Sequence, residues 1–370
     1  MFDMYVKYLK LINFRNYKEL NIELDKNINV FIGNNAQGKT NVLESIYYAS
    51  IGRSHRTSKD KELIKWQESN SYIKIYVAKE RLDKTIEIRV LKEGKKAINV
   101  NSININKLSE LFGILNVVIF SPEDLSIVKE SPSFRRKFLD IELSKLSKQY
   151  YYNLVQYQKV LNERNMLLKK GGDEVPNIIG VYDEQLARFG SNIIREREKY
   201  LKKLNDIGKK IHLEITSDKE EISFTYLSSI KNKNMDDGKI EEIFLQEIIK
   251  NRNSDIEKRY TSVGPHRDDF LININNVNTR SYGSQGQQRT ATLTIKFASL
   301  DIIKDEIGEY PVLLLDDVLS ELDSSRQKYI LSSIRDIQTI ITCTGIENIK
   351  KYLKNDAKIF KVENGECIEN

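Results

Sequence analysis

Residues 28–50, INVFIGNNAQGKTNVLESIYYAS, constrain this chain more than any other stretch. A short apolar run, Ile28 to Ile32, reads as a buried strand. It leads into Gly33-Asn34-Asn35-Ala36-Gln37-Gly38-Lys39-Thr40-Asn41, after which Val42, Leu43, Ile46 and Tyr47 recur at helical spacing. Strand, glycine loop and helix are the setting in which G-x-x-x-x-G-K-[ST] means a phosphate-binding loop. The glycines let backbone N–H groups turn inward around phosphates. Lys39 adds a point charge for the β and γ phosphates, the Thr40 hydroxyl offers one Mg²⁺ position, and the helix start adds its own partial positive charge. The alternative is a chance match in an ordinary strand–turn–helix, which the correct flanks on both sides disfavour.

Length bounds what surrounds this loop: 370 residues suggest two or three structural units. At 40% hydrophobic the chain can bury a normal core, and 30% charged residues with a mean hydropathy of −0.48 suit a soluble protein. No apolar run approaches the ~18 residues needed to span a bilayer, and MFDMYVKYLKL lacks the regions of a secretory signal. Two cysteines, Cys343 and Cys367, give no disulfide framework and no zinc spacing. Together these favour the cytoplasm. A net charge of +6 permits a polyanionic partner without requiring one.

Along the chain, residues 5–12 and then Leu20, Ile22 and Leu24 alternate, predicting a hairpin that leads into the phosphate-loop strand. Arg15 and Asn16, in the loop between them, are near enough in sequence to reach a bound nucleotide or to be simply solvated. Gly52 to Lys59 is a basic, hydroxyl-rich loop. Arg53, Arg56 and Lys59 either hold DNA phosphates or sit in solvent. Runs at 72–78, 85–91 and 97–105 predict an antiparallel meander, and Leu115 to Phe120 a buried strand. Ser121-Pro122-Glu123-Asp124 has the chemistry of a helix start. From about 134 the apolar residues step by three or four to Leu161, and again from Tyr182 to Ile211. The break at 171–176 between them predicts two amphipathic helices in an antiparallel hairpin, each arm roughly 45–50 Å long. A small segment follows, with alternation at Ile222, Phe224 and Tyr226 and a helix over 239–252. Strand chemistry returns near 261.

The downstream half carries further site chemistry. Pro311 to Asp317 is a buried strand ending in two carboxylates. Asp316 stands where a phosphate-loop ATPase needs its second metal-site acid, and Asp317 could orient or deprotonate an attacking water. The alternative is a helix cap after a core strand. Ser284-Gln285-Gly286-Gln287-Gln288 has no catalytic acid or base, but offers donors at a helix start that suit an anion. Because the phosphate loop is already complete, this second segment is most easily used on the nucleotide of another copy, which predicts an ATP-sandwiched homodimer. The last apolar strand is expected at 337–343.

The phosphate loop, the helical insertion, Ser284 to Gln288, Leu315-Asp316-Asp317 and Ser320-Glu321-Leu322-Asp323 together resemble the ABC-type ATPase heads of SMC and Rad50 proteins. Asn13-Phe14-Arg15-Asn16-Tyr17, Ser54-His55-Arg56-Thr57, Ser121 to Asp124 and Gly264-Pro265-His266-Arg267-Asp268-Asp269 resemble, within that group, the RecF family of bacterial recombination mediators. The resemblance implies an α/β fold: an ABC-type ATPase head with a mixed β core and flanking helices, interrupted by a helical arm domain. The head would comprise 1–125 and 261–370, and the arm 126–260. Gly33 to Thr40 would be Walker A, Leu313 to Asp317 Walker B, Ser284 to Gln288 the signature acting across the dimer, and Ser320 to Asp323 the D-loop. Arg15, Asn16 and Asn41 would lie at the nucleotide, Lys39 and Asp317 would be catalytic, and Thr40 and Asp316 would hold Mg²⁺. ATP would close the dimer on duplex or gapped DNA, slow hydrolysis would release it, and RecR, RecO and RecA would be partners at the nucleoid. The alternative is a Rad50- or SMC-like head with a tethering role. Four departures stand out: Gln285 stands where transporter ATPases have glycine, Asp317 replaces a catalytic glutamate, Glu123 or Asp124 stands where a glutamine is expected, and 341–345 contains no histidine.

Overall fold

The computed structural model describes residues 4–172, 175–230, 239–334, 336–345 and 357–369. The chain divides into two compact units, residues 1–124 with 296–370, and residues 125–295. Strict alternation builds the first sheet. β1 (Tyr5–Phe14) and β2 (Tyr17–Glu23) form the expected antiparallel hairpin. β3 (Ile28–Ile32) runs through the glycine loop into α1 (Lys39–Ile51), which Gly52 closes at φ 67 by donating to the Tyr48 carbonyl. β4 (Asn70–Ala78), β5 (Lys84–Leu91), β6 (Lys96–Val100) and β7 (Ile103–Asn104) are the meander, giving an antiparallel sheet ordered β2-β1-β4-β5-β6-β7. β8 (Val117–Phe120) is buried along its whole length.

After β8 the residues expected to cap a helix do something different. The Asp124 carboxylate accepts from the backbone N–H and the hydroxyl of Ser121, forming one tight 3₁₀ turn at Pro122–Leu125. Only a single helical turn, α2 (Ser126–Lys129), follows.

The second unit contains the arm. α3 (Pro132–Leu146) and α4 (Lys148–Lys170) divide what periodicity presents as one helix. Ser147 is extended there (φ −139, ψ 112), and its hydroxyl accepts from the Tyr150 N–H to start α4. The apolar stripe continues across this break, so spacing alone conceals it. α5 (Val175–Thr216) returns along α4 and spans 42 residues, about 63 Å at the standard rise. It exceeds the expected arm length, while α4, at 23 residues, falls short of it at about 35 Å. Gly171 (φ 66) and Gly172 (φ 107) begin the turn between them, and residues 173 and 174 of the expected break lie outside the described residues. β9 (Ile222–Leu227), α6 (Ile240–Lys258), β10 (Asp269–Ile274), β11 (Val277–Asn278) and α7 (Thr279–Tyr282) complete the unit up to α8 (Gln285–Ile307). β10 pairs antiparallel with β9 from Asp269–Leu227 to Ile274–Ile222. That pairing joins 261–295 to the arm, so the division falls at 295/296 inside α8, whereas the return of strand chemistry placed it at 260/261.

The first unit resumes with β12 (Val312–Asp316), α9 (Ser324–Ser333), β13 (Thr339–Cys343), β14 (Lys358–Glu363) and β15 (Glu366–Glu369). Its second sheet is ordered β15-β14-β3-β13-β12-β8, parallel except for β15. β12 and β13 are buried at every position, as a parallel sheet covered on both faces requires. The phosphate loop and Asp316 therefore leave the same edge, at the carboxyl ends of parallel strands, where open α/β sheets bind ligands. Among the described residues no helix is long and apolar enough to cross a membrane.

Candidate nucleotide site

The phosphate loop is held from outside by contacts that sequence does not announce. Asn16 donates from Nδ2 to the Gln37 carbonyl at 2.8 Å and accepts at Oδ1 from Asn41 at 2.8 Å. Gly38, at φ 119, lies so close to Asn16 that a Cβ there would fall 2.7 Å from its amide. The β14–β15 turn grips the other side: Asn364 N–H donates to Gln37 Oε1 at 2.6 Å, and Gly365 N–H to the Gln37 carbonyl at 3.1 Å. A Cβ on Gly33 would meet the Val362 carbonyl at 2.3 Å, so this glycine is required for close approach of two backbones. The Asn364-Gly365 dipeptide, both residues at positive φ, is the hairpin signal that could have revealed β14 and β15.

The loop is built for an anion. Gly38 is the first residue before α1, and no side chain caps the helix; Asn41 N–H turns back to the Gly38 carbonyl, which leaves the N–H groups of Lys39 and Thr40 uncapped. Lys39 is only 6% exposed. Its ammonium donates to the carbonyls of Gly33 (2.7 Å) and Asn34 (2.8 Å), and no carboxylate among the described residues pairs with it. Burial lowers its pKa, and the charges of Asp317, Cys343 and Asp316 oppose that shift. A buried cation ion-paired to no carboxylate among the described residues, beside uncapped helical donors, fits a polyphosphate.

The two candidate metal-site residues are in contact. Thr40 Oγ1 donates to Asp316 Oδ1 at 2.8 Å across 276 residues of sequence. Thr342 donates to the same oxygen at 2.8 Å and accepts from the Asp317 N–H at 3.0 Å. Burial raises the Asp316 pKa, against the hydrogen bonds from Thr40 and Thr342, and the charge of Glu123 adds to the rise. Thr40 and Asp316 thus present two oxygens to one point and fit a divalent cation. Asp317 is held at φ 54, and the Ser320 hydroxyl donates to its carbonyl (2.6 Å) and to Oδ1 (3.3 Å). Ser320 therefore ties the candidate D-loop to the candidate catalytic acid. Asp323 caps α9 by accepting from the N–H groups of Ser325 and Arg326, while Leu322 N–H reaches the Leu319 carbonyl. The side chain of Glu321 lies outside the described residues.

Arg15 is held against α1. Its guanidinium forms a two-pronged bond with Glu44 (2.9 and 2.6 Å) and donates to the Glu62 carbonyl. Glu44 is wholly buried and also accepts from Ser54 and Arg56. Burial alone would raise the Glu44 pKa; the hydrogen bonds from Arg15 and Ser54 and the charges of Arg15 and Arg56 outweigh it and bring it down. Arg56 is further engaged with Asn41 Oδ1 at 3.0 Å, whereas Arg53 and Lys59 project into solvent. Of the two acids after β8, Asp124 pairs with Lys296 at 2.6 Å and holds Ser121, leaving the exposed Glu123 as the one free to face a nucleotide.

The candidate signature residues belong to the second unit. Ser284 and Gln287 cap α8 reciprocally: Ser284 N–H donates to Gln287 Oε1, and Gln287 N–H donates to Ser284 Oγ. Gln287 also bonds Glu220, and Gln288 is buried against the Thr279 carbonyl. Ser284, Gln285 and Gly286 are exposed. The other singled-out stretch, Gly264 to Asp269, packs inside the second unit. His266 meets the Tyr157 hydroxyl and the Thr261 carbonyl, Asp268 accepts from Tyr226 and from Ser229 N–H, and Asp269 pairs with Arg135.

Comparison with known proteins agrees with this geometry. Residues 5–367 match the family model described as RecF/RecN/SMC N terminal domain. The chain is 62% identical to the DNA replication and repair protein RecF of Clostridium botulinum (strain ATCC 19397 / Type A) over 363 residues, covering 98% of this chain and 99% of that one. It is 63% identical over 364 residues to that of Clostridium kluyveri, with the same coverage. Among solved structures, the recombination mediator protein RecF-ATP in the RecFOR pathway superposes with a TM-score of 0.91 at 40% identity, covering 100% of this chain and 98% of that one. An Smc head domain from Pyrococcus furiosus, with a TM-score of 0.58 at 16% identity over 99% of this chain and 96% of that one, shares the fold. An ABC-type ATPase head, a phosphate loop closed by Asn16 and Asn364, and near full-length identity above 60% lead to one assignment: the chain belongs to the RecF family of DNA replication and repair proteins.

Proposed function

We propose that this protein is an ATP-dependent DNA-binding switch of recombinational gap repair. ATP and Mg²⁺ close two copies into a homodimer that clamps duplex or gapped DNA, slow hydrolysis reopens it, and the cycle helps RecO and RecR load RecA. The observation that carries the reading is Lys39: a buried ammonium paired with no carboxylate among the described residues, at a helix start left uncapped. The relatives named for recombination and repair, one of them in an ATP-bound form, supply the biological setting. When bound, Mg²⁺ supplies charge neutralisation on the β and γ phosphates. This chain's residues do the rest. Lys39 and the α1 N–H groups bind phosphate, Thr40 and Asp316 hold the ion, and Asp317 orients water. Ser320 fixes Asp317 relative to the D-loop. An aspartate in place of glutamate is one methylene shorter, which favours slow turnover and a long-lived closed state.

The test is sedimentation of the full chain with Mg·ATP, Mg·ADP or no nucleotide, with gapped or blunt duplex. The dimer should appear only with ATP and be enriched by gapped DNA; a monomer under all conditions refutes the switch. Ser284→Arg, which adds bulk and charge to the exposed signature, should abolish the ATP-driven dimer while leaving ATP affinity within about twofold. A normal dimer in that variant removes the signature from the interface.

The basic loop gives a separable expectation, because its two arginines differ in surroundings. Arg53→Ala should weaken duplex binding and lower the slope of log affinity against log salt by about 1. Arg56→Ala should instead lower thermal stability, because it removes a partner of the buried Glu44 carboxylate. Equal salt slopes for Arg53→Ala and the parent protein would return the loop to solvent.

A further inference from the structure

Of the three histidines in the chain, His266 has partners at both ring nitrogens and His212 shares Nδ1 with Thr294. His55 differs. Both its ring nitrogens are shielded from solvent and hydrogen-bond to nothing among the described residues. Its placement is nonetheless well defined. The ring stands edge-on to Tyr47 of α1, with centroids 5.2 Å apart and planes at 83°. Its chain neighbours, Ser54 and Arg56, are both fastened to Glu44. Arg56 also holds Asn41, immediately after the phosphate loop, so the segment carrying His55 runs back along α1 toward the nucleotide end.

Four carboxylates act on the ring through their charge: Glu44, Glu123, Asp316 and Asp124. Three are already engaged, Glu44 by Arg15, Ser54 and Arg56, Asp124 by Ser121 and Lys296, and Asp316 by Thr40 and Thr342. Glu123 is exposed. Burial holds the imidazole pKa below its ordinary value, leaving the ring with one donor and one acceptor at neutral pH. A shielded donor and acceptor without partners is unfavourable in a folded protein and calls for an occupant. The surroundings say which kind: Arg56, next in the chain, holds Asn41 at the end of the phosphate loop, and the charge of Asp316, itself bonded to Thr40 of that loop, reaches the ring.

We propose that His55 contacts the terminal-phosphate end of a bound nucleoside triphosphate, donating from one ring nitrogen to a γ-phosphate oxygen and accepting at the other from a water shared with Glu123. The inference rests on the nucleotide site described above and names within it the side chain that tells triphosphate from diphosphate. Filling the two orphan positions couples the Ser54–Arg56 loop, and through it Glu44 and Arg15, to the presence of the γ-phosphate.

The experiment measures equilibrium binding of Mg·ATP and Mg·ADP to the full chain and its thermal melting without nucleotide. Two variants are compared with the parent. His55→Phe keeps a ring against Tyr47 and removes both nitrogens; His55→Asn keeps one amide donor. For His55→Phe, ADP affinity should stay within about twofold while ATP affinity falls about tenfold, and the nucleotide-free melting temperature should hold or rise. His55→Asn should regain part of the lost ATP preference. Equal weakening toward both nucleotides, or no change toward either, overturns the proposal and makes His55 a packing residue. If His55→Phe melts early, the ATP-to-ADP affinity ratio of His55→Asn decides: a ratio equal to the parent's is the overturning result if ATP-driven dimerisation is also unchanged, and a reduced ratio supports the contact. Failure of the parent protein to bind ATP would instead strike the nucleotide site itself, before any variant is compared.

Discussion

Lys39→Met is expected to leave the nucleotide-free protein folded and to eliminate the rise in melting temperature that Mg·ATP produces. The parent ammonium is buried, carries no ion pair among the described residues, and bonds only two carbonyls at the loop, Gly33 and Asn34. Water reaches these residues, since Asn34 is exposed and Gly33 half-buried, so removing the donor leaves no deeply orphaned acceptor. An apolar side chain of similar length also ends the desolvation of a charge, and the net change in stability without nucleotide should stay within about 1 kcal/mol. With ATP the balance reverses. Hydrogen bonds to a charged group contribute about 1.5–3 kcal/mol each, so ATP affinity should fall by about a hundredfold. At a ligand concentration about 100 times the parent Kd, binding stabilises the parent by about 2.7 kcal/mol, and the variant should gain almost none of this. Paired melting curves with and without Mg·ATP decide the matter. A variant that keeps the full ATP-induced rise would show that Lys39 is a structural lysine, bonded to two carbonyls and to nothing else.

The parts of the fold legible in the sequence are those whose cause is local. β3, β8 and β12 show as continuous apolar runs because a strand buried on both faces tolerates little else. The phosphate loop shows because its glycines and Lys39 are consecutive. The hidden parts depend on partners distant in sequence. Arg15, read as a residue near the nucleotide, is fixed to Glu44, and nothing about 13–17 indicates that acid. Gly264 to Asp269 has the polar density of a binding loop, yet its His266, Asp268 and Asp269 satisfy Tyr157, Tyr226 and Arg135 in the interior of the second unit. The apolar stripe from Tyr182 to Ile211 runs through Gly190 and Gly208, each glycine because an aromatic ring lies against it, Phe244 beside Gly190 and Phe224 beside Gly208. The start of α5 is hidden because Pro176, allowed in the first turn of a helix, reads as part of the preceding break. The Ser147 break was concealed for the opposite reason: leucines and tyrosines keep their spacing on both sides of a single extended residue.

Arg164→Ala should be the most destabilising single change in the second unit. Its guanidinium is fully buried between three segments that periodicity treats as separate. Nε donates to Asp183 of α5 at 2.8 Å, and Nη1 donates to Asp255 of α6 at 2.8 Å and to the Thr261 hydroxyl at 2.9 Å. Asp183 keeps a second cation, Arg252, at 2.8 Å, but Asp255 retains only the N–H and hydroxyl of Ser262. Truncation therefore leaves one fully buried carboxylate without a counterion, and breaking a buried pair in this way costs about 3–5 kcal/mol. Because the penalty lies in the stranded charge, adding Asp255→Asn to Arg164→Ala should recover part of the loss, even though it removes a further native side chain. A cavity alone would predict additive or worse damage. Urea unfolding of the parent and of the single and double variants separates the two accounts. Mg·ATP affinity, which we propose depends on Lys39, Thr40 and Asp316 in the first unit, should stay within about twofold throughout. A double variant less stable than Arg164→Ala would show that packing, and not the buried charge, makes Arg164 indispensable to the arm.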